Sequence, residues 1–572
     1  MLFGQKLPAP LESTLERLLV LDRFNDLYEQ VRQNTDQSCF VKRFLETLNV
    51  RPRVTANDLS LVPKQGPVVA VSNHPFGLIE GAILADLLTA VRPDVKIMAN
   101  HLLATLPEAR RHCIFVNPFG GGCAVRANQS GMKDSIVWLK QGGMLAVFPA
   151  GEVAHLNLRE KSVTDPEWSR NIARLIRLTG ATVLPMYFVG TNSAIFQLLG
   201  LLHARVRTAL LAHELLNKNN RDIELRVGSP ISPAKVRHYQ DDLALIRYLR
   251  HRTYLLQNRD IRRPRSLGLG TLGPSSPTEL MAAEIATFSP DQVLVETEEF
   301  LVMLAKAPQI PNLLHEIGRL REITFGQAGE GTGQTIDLDT FDDHYWHLFV
   351  WNRAAQQVVG AYRLGPSDEI VKSVGVKGLY TSQLFAWKPS FLERIAPALE
   401  LGRSFVRPEY QRTYAPLLLL WRGIGQFLVR NPRYKVLFGP VSISADYSTA
   451  SRQLMVEFLS AYCQSRELAP MVWARNPFRS RPFRIAQELV KEPGGDIEEL
   501  STLVADIEFD RKGVPVLLKQ YLKLGGQLVA FNVDRHFANA LDGLIVVDLR
   551  KTDVRLLERY LGKEAAAGYL AH

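Results

Sequence analysis

Val68, Val69 and Val71 form a β-branched run that breaks at Ser72-Asn73-His74-Pro75-Phe76-Gly77, and an apolar helical pattern with Glu80 in its first turn follows. The pattern predicts strand, tight turn and helix, with a histidine at the strand's carboxyl end and a carboxylate shortly after it. In open α/β sheets that edge is where ligands bind. A second turn of the same kind, LAVFPAGE, ends at Glu152. Strand patterns over residues 96–100, 113–116, 143–148, 182–188 and 223–227 alternate with helical patterns over 79–90, 130–141, 168–179 and 241–257, which indicates an α/β sheet. Residues 11–31 read as an amphipathic helix. Residues 198–216 read as one apolar helix with Arg205 and Arg207 embedded, suited either to a lipid interface or to partial burial.

The alternation stops at Arg262-Arg263-Pro264-Arg265 and a stretch rich in Gly, Ser and Pro, which marks a linker. The expected organisation is a first domain over 1–261, a linker over 262–278 and a second domain over 279–572. The second half mixes helical patterns (279–287, 310–325, 416–429, 449–465) with strands (347–351, 358–364, 398–406, 528–531, 543–548), so it reads as α+β and does not repeat the first.

At 572 residues the chain exceeds the roughly 250–300 residues at which single cores stop growing. Its net charge of +10 favours an anionic partner: nucleic acid, an acidic carrier protein or an anionic membrane surface. The basic residues are dispersed and lack interleaved aromatics, which argues against nucleic acid. The four cysteines form no CxxC pair, so neither a disulfide framework nor a metal site is expected, and a reducing compartment fits. With no apolar run of about 18 residues and no secretory pattern at the N-terminus, a soluble or peripheral protein is expected.

The two turns, NHPFGLIE (Asn73 to Glu80) and FPAGE (Phe148 to Glu152), resemble the first and third blocks of the lysophospholipid type of glycerolipid acyltransferase. This chain has Ile79 where the family's usual acid stands, with Glu80 one later, and Ala150 where the third block usually carries Glu. The resemblance implies that His74 takes the proton of an acceptor hydroxyl as it attacks a thioester, and that Glu80 orients the ring. It implies further that Asn73 and the amides around Gly77 steady oxygens, that Gly151 lets backbone approach a ligand, and that Glu152 positions the acceptor. Asn117-Pro118 stand where relatives using phosphorylated acceptors carry a phosphate-binding Arg, so an acceptor without phosphate is expected unless Arg110, Arg111 or Arg126 substitutes. Pro185 resembles the fourth block and is expected in the site wall.

In the second half, residues 337–351 and the stretch from Glu400 to Arg407 resemble the amino-acid N-acyltransferases that make lyso-ornithine lipid. Those are similar to the acyl-homoserine-lactone synthases and, more remotely, to GCN5-type (GNAT) N-acetyltransferases. The resemblance implies that Asp342 or Glu400 accepts the amine proton, that Arg403 holds Glu400 or a substrate carboxylate, and that Asp339, His344 and His347 bind substrate. Arg422-Gly423-Ile424-Gly425 matches the acyl-CoA turn only in part, which favours acyl carrier protein over CoA as donor. Together the halves resemble the bifunctional ornithine lipid synthases. The expectation is an α/β chain with a glycerolipid-acyltransferase-type domain and a GNAT-like domain, bound peripherally to the cytoplasmic face of the inner membrane. Ornithine, a lyso-aminolipid and acyl carrier protein are the expected partners, with no metal or cofactor beyond the acyl donor. The alternatives are glycine, lysine or glutamine as the amino acid, a lysophosphatidate acyltransferase, and a haemolysin-like membrane-perturbing protein.

Overall fold

The computed structural model describes residues 21–32, 40–116, 122–158, 161–200, 204–259, 272–411, 413, 415–480, 483–490 and 495–572. The chain divides into two units, Met1–Arg259 and Asp260–His572. Each is mixed α/β and is built on its own sheet.

Unit 1 carries β1 (Arg51–Arg53), β2 (Val68–Ser72), β3 (Val95–Asn100), β4 (Cys113–Val116), β5 (Met144–Val147), the hairpin strands β6 (His155–Asn157) and β7 (Ser162–Thr164), β8 (Thr182–Phe188) and β9 (Asp222–Val227). The main sheet runs β1-β9-β8-β2-β5-β3-β4, and every neighbouring pair is parallel except β8 with β9. All five residues of the central strand β2 are buried. Helices over both faces explain why the run is continuously apolar instead of alternating.

The helices of unit 1 include α1 (Leu21–Arg32), α2 (Phe40–Thr47), α3 (Leu78–Val91), α4 (Gly122–Lys140), α5 (Arg170–Thr179), α6 (Ala194–Gly200), α7 (Ala204–Leu216) and α8 (Asp242–Leu255). α3 follows the β2 turn and buries Ile79, Ile83, Leu84 and Leu88 in one core with Phe44 and Leu45 of α2. α1 adds Leu27 and Val31 to that core, so the described part of the amphipathic segment covers protein. The stretch expected as one helix over 198–216 is two, α6 and α7; the side chains of Arg205 and Arg207 lie outside the described residues, as do Asn117, Pro118 and the side chain of Arg126. Pro185 lies mid-strand opposite Val71, and its carbonyl accepts the Gly228 amide, so it belongs to the sheet and does not line the cavity described below.

Unit 2 is an eight-stranded sheet in the order β10 (Val293–Glu296), β11 (Phe300–Lys306), β12 (Trp346–Asn352), β13 (Gln357–Pro366), β15 (Ala398–Val406), β16 (Val436–Ile443), β19 (Ala540–Asp548), β18 (Gln527–Asp534). A small second sheet pairs β14 (Phe385–Trp387) with β17 (Val472–Ala474). All neighbours in the large sheet are antiparallel except β15 and β16. Helix α9 (Pro311–Gln327) packs into the core with Phe349 and Phe405, while α10 (Ala415–Arg430) lies against β10, β12 and β13. Arg422-Gly423-Ile424-Gly425 sits in the middle of α10 and forms no turn. A Cβ on Gly425 would stand 2.6 Å from the Tyr560 carbonyl oxygen, and one on Gly423 2.6 Å from Val302 Cγ1. These glycines let the helix pack closely, which corrects their reading as an acyl-CoA turn. No described helix is long and apolar enough to cross a membrane.

Candidate active sites

β2 delivers Asn73 and His74 to the carboxyl edge of the first sheet, and the turn through Gly77 reverses the chain into α3. Gly77 has φ +114°, a conformation that a side chain would strain, and a Cβ there would stand 3.0 Å from Leu211 Cδ2. One turn into α3, the fully buried Glu80 returns to the same place. Its Oε1 lies 3.3 Å from His74 Nδ1 and accepts the Phe76 N–H at 2.5 Å. The ring of His74 stacks on Phe148 at 4.3 Å between centroids, so FPAGE and NHPFG meet in space. Burial disfavours the imidazolium, but Glu80, and after it Asp165, outweigh that effect and the imidazole pKa is raised. With Nδ1 turned to Glu80, Nε2 is the nitrogen left for a substrate.

His74, Gly77, Gly151 and Glu152 all line one cavity of about 720 Å³. The rest of its wall is largely apolar, including Phe40, Phe44, Leu78, Ile97, Leu103 and Leu211. Volume and lining match a ligand site of roughly 300–1,000 Å³ whose few polar groups fix orientation. Asn73 has a different place from the one expected. Its amide donates to the Phe188 carbonyl at 2.9 Å and accepts the Phe188 N–H at 2.7 Å. Both halves of the amide are therefore committed to β8, and Asn73 secures the strand end instead of steadying a ligand oxygen.

Asp165 is a neighbour of the site that no motif announces. It is 2 % exposed; its Oδ1 accepts the His74 N–H at 3.1 Å and its Oδ2 accepts Trp168 Nε1–H at 2.9 Å. The sequence separation from His74 is 91 residues, so only the folded chain brings them together.

In unit 2 the expected residues fall into two groups. Arg403, Asp339 and, beside them, Asp337 line a polar cavity of about 710 Å³ together with Tyr380, Asp534 and Phe537. Arg403 stands at a kink of β15 with φ +46°, and its guanidinium lies 5.1 Å from the Tyr380 ring centre and 4.9 Å from that of Phe537. Its Nε is 3.4 Å from Asp337 Oδ2 and its Nη2 3.5 Å from Asp339 Oδ2, so it serves these acids and not Glu400.

Asp342, Glu400 and His347 are buried beneath that cavity's walls and do not line it. Asp342 receives Arg321 Nη1–H at 2.8 Å, lies 3.4 Å from Arg363 Nη1 and caps the Asp339 N–H at 2.9 Å. Although burial opposes ionisation, the two guanidiniums hold its carboxyl well below the usual range, which leaves it too weak a base for the role expected of it. Glu400 accepts the Tyr345 hydroxyl, the Thr381 N–H at 2.7 Å and the Tyr380 N–H at 3.2 Å; it organises the 380 turn. His347 is pushed down to about 4 by burial and by Arg321, and its Nε2 bonds the Asp342 carbonyl at 2.9 Å. His344 bonds the Gly378 carbonyl through Nε2 at 2.9 Å and is likewise absent from the cavity lining. Burial raises the pKa of Glu400 and of Asp337, and it does the same to two carboxylates that the sequence reading missed. Burial and Asp534 lift Asp542 to about 7, and burial with Asp542 and Asp446 lifts Glu330 to about 8.

Comparisons with known proteins divide along the same line. Residues 34–261 match the family model described as Acyltransferase, and residues 320–421 match that of the Acetyltransferase (GNAT) domain. A glycine N(alpha)-acyltransferase of Bacteroides thetaiotaomicron is 33% identical over 237 residues, covering 39% of this chain and 68% of that one. An L-ornithine N(alpha)-acyltransferase of Brucella abortus is 29% identical over 236 residues, covering 40% and 75%. A lyso-glycine lipid O-acyltransferase of Phocaeicola vulgatus is 25% identical over 237 residues, covering 39% and 80%.

Proposed function

We propose that this chain, an acyltransferase that belongs to the family of the glycine N(alpha)-acyltransferase of Bacteroides thetaiotaomicron, performs two acyl transfers in sequence. Unit 2 joins a 3-hydroxyacyl group to the amino group of an amino acid. Unit 1 then esterifies the 3-hydroxyl of that lyso-lipid with a second fatty chain. The observation that carries the reading is a His–Glu pair opening on a large apolar cavity: His74 Nδ1 lies 3.3 Å from Glu80, and the cavity measures about 720 Å³.

In unit 1 the lipid hydroxyl attacks the thioester carbonyl while His74 Nε2 takes its proton. Collapse of the tetrahedral intermediate forms the ester and expels the thiolate, which receives the same proton from His74. Glu80 stabilises the imidazolium between the two events, and the positive end of the α3 dipole at Gly77 faces the cavity where the oxyanion develops. In unit 2 the amine attacks a thioester, the amide forms, the thiol leaves, and the ammonium proton passes to cavity carboxylates through water. Acyl carrier protein suits a chain of net charge +10 as donor. A lipid acceptor and a lipid product suit a peripheral position on the cytoplasmic membrane face.

Ornithine is the amino acid favoured by the cavity of unit 2, whose Asp337, Asp339 and Asp534 suit a substrate with a second ammonium group. Glycine is the second reading, supported by the name of the 33% identical relative. The test expresses the full chain in a host without aminolipids and analyses its lipids. The wild type yields a phosphorus-free diacylated aminolipid, His74→Ala stops at the mono-acyl form, and Arg403→Ala yields neither. Diacylated product from His74→Ala removes the assignment of unit 1; the head group released on hydrolysis decides between ornithine and glycine.

A further inference from the structure

Resting on the reading of His74 as the base of O-acylation, we propose that Asp165 is a positioning residue that fixes the His74 backbone and supplies a second carboxylate to its imidazolium. His74 is tied at both ends of its peptide. Its N–H donates to Asp165 Oδ1 at 3.1 Å, and its carbonyl accepts the Ala154 N–H at 2.8 Å. Its ring is held by Phe148 on one face and by Glu80 at Nδ1. Asp165 is itself immobilised from three directions. Trp168 Nε1 donates to Oδ2 at 2.9 Å, the Asp165 N–H donates to the Tyr254 hydroxyl at 2.8 Å, and Arg250 Nη2 donates to its carbonyl at 3.1 Å. A buried carboxylate that spends one oxygen on a catalytic residue's backbone and the other on an indole leaves neither oxygen to solvent.

Pre-setting the base in this way reduces the motion needed when the hydroxyl arrives, and a fixed negative charge nearby favours the protonated ring. The charged and titratable groups around the pair are few. Glu80 faces the ring, Lys218 stands in the field of Glu80, and Glu108, His112 and Glu152 share the cavity wall. Asp165 is faced by Arg250, Tyr254 and Tyr187. His74 must be neutral to act as a base, so carboxylates that raise its pKa place the acid limb of the rate profile at higher pH. Removing one of them moves that limb to lower pH and lowers the rate, because the base is weaker and the imidazolium less stabilised.

The test follows O-acylation of a mono-acyl aminolipid by the full chain, with N-acylation by the same chain as a control for integrity. Asp165→Asn keeps an acceptor toward the His74 N–H and drops the charge. The expected result is a fall of about tenfold in kcat with KM for the lyso-lipid unchanged, and an acid limb displaced to lower pH, as Glu80→Gln displaces it further. Trp168→Phe, which removes the donor to Oδ2, shifts the limb the same way by less, and it reads the same effect if Asp165→Asn melts early. If His74→Ala is inactive while neither variant moves the limb, Asp165 merely supports the loop and the inference is overturned. If His74→Ala retains O-acylation, the reading of unit 1 fails instead.

Discussion

Asp342 illustrates how far a residue's chemistry is decided by neighbours that sequence spacing does not reveal. The segment 337–351 reads as a cluster of acids and imidazoles around a substrate. In the fold, Arg321 from α9 and Arg363 from β13, both fully buried, converge on Asp342 and turn it into the hub of a buried ion network. Removing one member of such a network leaves buried charge without compensation. Asp342→Asn is expected to destabilise unit 2 by about 3–5 kcal/mol, and Asp339→Asn, whose carboxyl is 24 % exposed, by clearly less. Urea denaturation of the two variants checks the order; equal stabilities would mean that the guanidiniums are compensated elsewhere. The His74–Glu80 pair, by contrast, was legible because both partners lie within seven consecutive residues. Asn73 and Asp165 were not, since their partners lie 115 and 91 residues away.

Elements were legible where one period ran without interruption. β2, its turn and α3 follow from a β-branched run, a Pro-Gly turn and an apolar helix, and β8 spans the residues its pattern marks. Two kinds of element were missed. β11 and β16 pass without strong alternation because most of their residues are buried, β10 is a four-residue edge strand, and the α6–α7 pair reads as one helix because the apolar run Leu198-Leu199-Gly200-Leu201-Leu202 carries the pattern on without a polar stop. The Gly-x-Gly of α10 has the opposite fault: a motif of loops standing inside a helix, where close contact explains it better than a ligand. Gly425→Ala gains up to about 1 kcal/mol of helix propensity, but it sets a methyl 2.6 Å from the Tyr560 carbonyl. The net expectation is a loss of about 1–3 kcal/mol from overpacking, read as a lower melting temperature with N-acylation intact below the transition. A higher melting temperature would show that the helix Val554–Leu561, which carries Tyr560, gives way freely.

At the scale of the whole molecule, length and the Gly/Ser/Pro-rich stretch point to two domains, whereas the overall charge does not show how charge is laid out inside each unit. A net charge of +10 describes the chain, yet unit 2 gathers the half-buried Glu330 and the buried Asp534 and Asp542 near one another with Arg403 as their cationic neighbour. In the unfolded chain Glu330 and Asp542 titrate near 4.5 and 3.8; in the fold they titrate at about 8 and about 7. Between those limits the folded state binds more protons, so stability present below pH 4 is lost as pH rises through 7 and 8. The melting temperature of unit 2 is expected to be lower at pH 8.5 than at pH 5.5 by up to about 2 °C for each kcal/mol lost, and Asp542→Asn to flatten the dependence. A transition that does not move with pH would place cations beside these acids.

Each unit keeps its cavity within its own fold, and both belong to one polypeptide. Every molecule synthesised therefore brings one copy of each unit, and gene dosage cannot alter their ratio. Under the two-transfer reading, the balance between singly and doubly acylated lipid is left to turnover rates and donor supply, and a cell that needs more of the intermediate must slow the second reaction itself.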